Sequence, residues 1–120
     1  MTKLNVLEDL KELTKIVFKV FKAIPDEYKY SLRSQLINSM ISVRLNIREG
    51  NVFWDANKIR HFRIALGSLE ETDENIEILK ENDLINSDLY KLFKDQYYLC
   101  RNKLTKLIKS LVKLSGGQNR

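Results

Sequence analysis

The stretch from Tyr30 to Gly50, YSLRSQLINSMISVRLNIREG, restricts the architecture of this chain more than any other. It contains no proline and its only glycine is its last residue, so it reads as one helix of about five turns. At about 100° per residue, Leu32, Leu36, Met40, Val43 and Ile47 share one face. Ile37, Ile41 and Leu45 form a second apolar stripe roughly opposite the first. An uncharged polar strip of Ser31, Gln35, Asn38, Ser42 and Asn46 runs between them. A helix that is apolar on two sides needs two partners. The monomer can meet one stripe, and Ile37, Ile41 and Leu45 then call for a second internal neighbour or for another subunit. Self-association through these three residues is the expectation.

A chain of 120 residues is ordinarily one domain, and one proline with four glycines favours long helices over many-turned β structure. No apolar run approaches the ~20 residues of a membrane span. The opening MTKLNVLEDL has acids where a signal peptide carries its apolar segment. The single cysteine excludes an intrachain disulfide framework. The expected location is cytoplasmic. The net charge of +5 is unevenly placed: residues 67–95 carry three Lys/Arg against nine Asp/Glu, and residues 96–120 carry six against none. Such sorting suits polyanion binding, complementary helix pairing, or solvated faces sorted by sign.

The apolar spacing predicts four helices, near residues 6–24, 27–49, 56–82 and 87–114. Short links make them an all-α, antiparallel up-down-up-down four-helix bundle, a single domain over residues 1–114 with a disordered tail at 115–120. The first helix has a capping-box pattern at Asn5 and Glu8 and a seam of Val6, Leu10, Leu13, Val17, Val20 and Ile24. Pro25 ends it. Gly50 is placed to cap the second helix in a left-handed conformation, and Phe53 and Trp54 are expected to fold back over the bundle end, the alternative being a contact surface for another subunit or for stacked bases. In the third helix, Gly67 calls for a close neighbouring backbone, and Asp73, on the apolar side, calls for Arg33, Arg44 or amides of the second helix as partners. The fourth helix carries an unbroken heptad of Phe93, Tyr97, Cys100, Leu104, Leu107, Leu111 and Leu114.

Nothing in the sequence assembles a reaction centre. His61 is the only histidine, so a two-histidine metal motif within the chain is ruled out. Cys100 sits on the heptad seam, where a cysteine serves as a small core hydrophobe. The acids of the third helix lack the Glu-x-x-His motif of di-metal bundles. No enzymatic activity, metal or cofactor is expected. The basic side chains carry the functional reading, because arginine contacts phosphates bidentately and stacks on bases. Arg44, Arg48, Arg60 and Arg63 are the first candidates for nucleic-acid contact. Lys11, Lys15 and Lys19 of the first helix and Lys106, Lys109 and Lys113 of the fourth are the second.

Two stretches resemble a known family. Ser42-Val43-Arg44-Leu45-Asn46-Ile47-Arg48-Glu49-Gly50 is similar to its Ser-Ile-Pro-x-Asn-Ile-Ala-Glu-Gly, and Ile64-Ala65-Leu66-Gly67-Ser68-Leu69-Glu70-Glu71 to its Ala-Leu-Gly-Ser-Leu-x-Glu. Pro25 with Tyr30-Ser31-Leu32-Arg33-Ser34-Gln35-Leu36 resembles its Phe-Pro…Tyr-Gly-Leu-x-x-Gln-Ile region. These are the four-helix bundle proteins encoded by intervening sequences within bacterial 23S rRNA genes, and the resemblance covers roughly residues 10–114. It implies a ring-like homopentamer without enzymatic activity. It also implies kinship with the accessory variability protein of diversity-generating retroelements, which binds nucleic acid and a reverse transcriptase. The chain departs from the pattern at Arg44, where the family has proline, at Arg48, where it has alanine, and in lacking the family's N-terminal tryptophan. The expected function is therefore binding of RNA or DNA through a basic surface, as an accessory to a reverse transcriptase or to rRNA-related processes. The alternative is a protein-interaction module that meets an acidic protein partner.

Overall fold

Apolar residues at helical spacing dominate the chain, and the structure, a computed structural model, is correspondingly all-helical. It describes residues 2–118, except for the side chains of residues 2–5, 29 and 117–118. Four helices make up most of it: α1 (Thr2–Ala23), α2 (Ser34–Asn51), α3 (Ala56–Glu81) and α4 (Ser87–Gln118). No strand occurs among the described residues. The helices form a bundle of 53 × 25 × 21 Å in which α2 packs most extensively on α3, α1 and α3 each pack on α4, and α1 meets α2 more lightly.

The core is the one the seams predict along α1, where Val6, Leu10, Leu13, Val17, Val20 and Ile24 are all buried. Leu36, Met40, Val43 and Ile47 face it from α2, Phe62, Ala65, Leu69, Ile76 and Leu79 from α3, and Phe93, Tyr97, Cys100 and Leu104 from α4. Each such large side chain contributes about 1.5–3 kcal/mol by leaving water. Burial pushes the Cys100 thiol up to about 12, as befits a core hydrophobe. The α4 seam changes course after Leu104. Ile108 takes the core position, Leu107 and Leu111 are only partly buried, and Leu114 is 64% exposed. Asp9 of α1 meets Gln96 and Lys103, which places the change of course just beyond this contact between the two helices.

Several boundaries differ from expectation for identifiable reasons. α1 starts at Thr2, so Asn5 lies inside it, and the capping role expected of the Asn5 side chain falls outside the described side chains. Pro25 ends α1 as expected, but α2 proper begins only at Ser34, after a 3₁₀ turn (Asp26–Tyr28) and a π-helical turn (Lys29–Arg33). The Arg33 guanidinium reaches back from this widened turn to donate to the Ile24 carbonyl at 2.7 and 3.1 Å, which satisfies an orphaned acceptor at the end of α1. It also pairs with Asp26 at 2.9 Å and lies over the Phe21 ring. α3 and α4 start where expected. The Asp55 carboxylate accepts from the Asn57 N–H, and Asn86 accepts from the Leu89 N–H. α4 continues past Leu114 to Gln118, so residues 115–118 are helical; 119 and 120 lie outside the described residues.

Neither of the two informative glycines has the role expected of it. No glycine among the described residues has positive φ, and α2 runs through Gly50 to Asn51, so Gly50 is no left-handed cap. It is buried against α3, where an ideal Cβ would fall 2.5 and 2.6 Å from two ring carbons of Phe62. Gly67, expected to admit a close backbone, has nothing within 4 Å of such a Cβ. Around Gly50 the α2–α3 seam is built from small polar groups. Thr72 donates to Ser39 at 2.8 Å, Ser42 and Ser68 hydroxyls bond at 2.8 Å, and the Asn46 amide oxygen meets His61 Nδ1 at 3.0 Å.

Candidate nucleic-acid interface

The acids that drew attention in α3 are engaged by α4. Lys94 lies 2.7 Å from Asp73 and 2.8 Å from Glu77, and the Tyr90 hydroxyl donates to Glu77 at 2.7 Å. Asp73 therefore pairs with Lys94, not with Arg33, Arg44 or amides of α2, because its place on α3 turns it toward α4. The rings of Tyr90, Tyr97 and Tyr98 surround the same ammonium at 5.2–5.8 Å. Hydrogen bonds from Lys94 and Tyr90 hold the Glu77 carboxyl below its ordinary value. Burial works against the Lys94 charge, but the bonds to Asp73 and Glu77 outweigh it and raise its pKa. Arg101–Glu70 and Lys103–Asp9 extend the pattern. Part of the sorted charge is thus complementary helix pairing, and it removes Lys94, Arg101 and Lys103 from the free basic surface.

The remaining candidate cations fall into three groups. Lys11, Lys15, Lys19 and Lys22 of α1 and Arg44 of α2 line one cleft of about 650 Å³ with Glu8, Glu12 and Phe18. Arg44 is steadied there by donating to the Thr14 hydroxyl at 3.0 Å. Lys11 and Lys15 pair with Glu8 and Glu12, but these pairs are exposed and each is worth at most about 1 kcal/mol. Arg48 is exposed one turn beyond Arg44, on the face turned away from α3. Arg60 and Arg63 stand elsewhere, along a cleft of about 610 Å³ between the start of α3 and Val112, Ser115 and Gly116 of α4. Lys106, Lys109 and Lys113 are exposed on the far half of α4 and make no ion pair among the described residues. The four arginines first singled out therefore form two pairs on different faces, and only Arg44 shares its cleft with lysines.

His61 is committed to structure. A guanidinium can only donate, so its contact from Arg60 to Nε2 (3.4 Å) assigns the ring proton to Nδ1, which donates to Asn46. Phe53 stacks parallel on the same imidazole at 5.5 Å and so folds back onto the bundle as expected. Trp54 does not: it is 88% exposed. Lys58, not among the candidate cations, is only 5% exposed, with its ammonium 5.4 Å from the Trp54 ring centroid and 5.3 Å from that of Phe62. The i, i+4 spacing of Lys58 and Phe62 on α3, just after Trp54, was the available signal. The second apolar stripe of α2 divides: Ile37 packs against the core, while Ile41 and Leu45 are 44% and 57% exposed.

Residues 2–106 match the family of 23S rRNA-intervening sequence proteins. The chain belongs to that family. Among curated proteins nothing matches. A crystal structure of a protein of unknown function from the S23 ribosomal protein family of Bacteroides thetaiotaomicron superposes with a TM-score of 0.82 at 24% identity, over 91% of this chain and 99% of that one. The likeness shows a shared fold. In this 23S rRNA-intervening sequence protein the two motif stretches lie face to face: Ser42 bonds Ser68, and Gly50 of one helix admits Phe62 just ahead of the other stretch. No helix among its described residues is long and apolar enough to cross a membrane, and no group of His, Cys, Asp and Glu there could hold a metal ion.

Proposed function

We propose that the protein is a non-enzymatic, self-associating bundle that binds RNA or DNA through backbone phosphates, in the cytoplasm, as an accessory to rRNA-related processes or to a reverse transcriptase. One observation carries the reading: the cleft that gathers Lys11, Lys15, Lys19, Lys22 and Arg44, with Arg48 exposed beside it. Phosphates respond to such a row directly, without base reading. The family's description ties it to 23S rRNA, which makes RNA the first ligand to test. A non-enzymatic role fits the fate of the reactive side chains, with Cys100 in the core and both His61 nitrogens engaged.

The test is a binding titration with mixed-sequence RNA and DNA across a salt series. Binding is expected to be largely sequence-independent and to weaken steeply with salt, by about 10³-fold or more between 50 and 200 mM if some six phosphates are engaged. Arg44→Glu with Arg48→Glu should weaken it several-fold at unchanged assembly mass. Undetectable binding at low salt would falsify the proposal and leave a module for an acidic protein partner.

Assembly is the second half of the proposal. The crossing pairs Ser39–Thr72, Ser42–Ser68 and Asn46–His61, then Asp73–Lys94 and Glu77–Tyr90, descend in one helix as they rise in the next, which supports an up-down-up-down bundle. Such a bundle leaves Ile41 and Leu45 on its outside, available to another subunit. A homopentamer is the stoichiometry that the family resemblance suggests. Light scattering should give an assembly at micromolar concentration, and Ile41→Glu should lower its mass while leaving helicity intact. A wild-type monomer under those conditions would end the assembly proposal.

A further inference from the structure

The cleft between the start of α3 and the last turns of α4 is built differently from the basic one. Trp54, Ile59, Phe62, Leu107, Leu111 and Leu114 line it, and its volume of about 620 Å³ falls within the range of small-ligand sites, about 300–1,000 Å³. Lys58 reaches it from the first turns of α3 and holds its ammonium between the Trp54 and Phe62 rings. A cation set against an indole restrains the ring while leaving most of it open to solvent. The neighbouring cleft of Arg60 and Arg63 shares Ala56, Ile59 and Ser115 with this one, so two guanidiniums lie beside the aromatic platform. Lys109 and Lys113 are exposed on the same last turns of α4. The Asp55 carboxylate, at the rim, is held by the Asn57 N–H as the cap of α3.

We infer that this cleft seats an unpaired base of single-stranded nucleic acid, stacked on Trp54, with its flanking phosphates on Arg60 and Arg63. The inference rests on the nucleic-acid reading above and adds a strand preference to it. An aromatic face accepts any base, because every base has a π-face, and apolar walls supply no hydrogen bonds to discriminate among them. A duplex keeps its bases stacked on one another and can offer the cleft only its backbone. The row of cations along α1 and α2 does not distinguish strandedness, so the preference arises at this cleft.

Trp54 is the only tryptophan of the chain, so its emission reports the event directly. The intact protein is titrated at low salt with a short single-stranded oligonucleotide and with its duplex, following tryptophan fluorescence, and the anisotropy of an end-labelled strand gives affinities. The single strand should quench the emission and the duplex should not. Trp54→Ala, at an exposed position, should lower single-strand affinity by about fivefold or more and leave duplex affinity within about twofold, with helicity unchanged by circular dichroism. Trp54→Phe should recover most of the loss. Single-strand binding with unchanged emission and equal affinity for Trp54→Ala overturns the inference while leaving phosphate binding intact. Equal quenching by the duplex overturns it too. So does quenching by decanoate alone, which makes the cleft an acyl site, and so does a lower assembly mass for Trp54→Ala, which makes Trp54 a subunit contact. Absence of all binding removes the nucleic-acid reading and this inference together.

Discussion

Lys94→Met is expected to cost about 2–4 kcal/mol at neutral pH, because it leaves two carboxylates facing each other in a part-buried site. Lys94 is the only cation bonded to Asp73 and Glu77 among the described residues, and without it Glu77 keeps the hydrogen bond from the Tyr90 hydroxyl but no opposing charge. For a chain of this length the loss corresponds to a fall in Tm of roughly 8–15 °C. The sign of the pH dependence follows from the shifts. The depressed Glu77 pKa contributes stability that is present above the ordinary carboxylate value and is lost as pH falls through the lower folded value. The raised Lys94 pKa contributes stability that is present below the ordinary lysine value and is lost only when pH rises through the higher folded one. Wild-type protein should therefore weaken below about pH 4.5. Over the same window the gap between wild type and Lys94→Met should narrow, since protonated acids no longer repel. Thermal unfolding of both proteins between pH 3.5 and pH 8 reads this out. A constant gap across that range would mean that the lost stability is packing of the lysine stem and not charge.

The fold was legible in the sequence because it depends on periodicity, which needs no partner to be read. Val6 to Ile24 and Phe93 to Leu104 are buried as the seams require, and Asp55, Asn86 and Pro25 set helix ends near where they were placed. What could not be read depends on which helix stands opposite. Asp73 is on the apolar side by spacing, but only the packing of α3 on α4 makes Lys94 its partner. Leu107, Leu111 and Leu114 continue a perfect heptad, yet the core position passes to Ile108, Leu107 and Leu111 are only partly buried, and Leu114 is exposed. The candidate site was legible as a set of residue types and not as a place. Arg44 and Arg60 look alike in sequence, and three-dimensional packing sends one to a lysine-lined cleft and the other to the end of the bundle.

The two glycines give the most direct check on that packing, because the same substitution should act in opposite directions. Gly50→Ala is expected to destabilise by about 1–3 kcal/mol, the usual cost of overpacking. The new methyl would sit 2.5 Å from the Phe62 ring, and Phe62 is fully buried beneath α2, so the helices must separate for it. Separation would also stretch the Ser42–Ser68 and Ser39–Thr72 bonds along the seam. Gly67→Ala, mid-helix and with open space around its Cβ, should stabilise by up to about 1 kcal/mol through helix propensity alone. Thermal or urea unfolding of the two variants decides the matter, and Phe62→Leu placed in the Gly50→Ala background should recover part of the loss if the ring is the obstacle. A neutral Gly50→Ala would mean that α2 and α3 are not held at the spacing seen here. A destabilising Gly67→Ala accompanied by a lower assembly mass would place a neighbouring subunit on α3, and the contact expected at Ile41 and Leu45 would then have to be shared with that face.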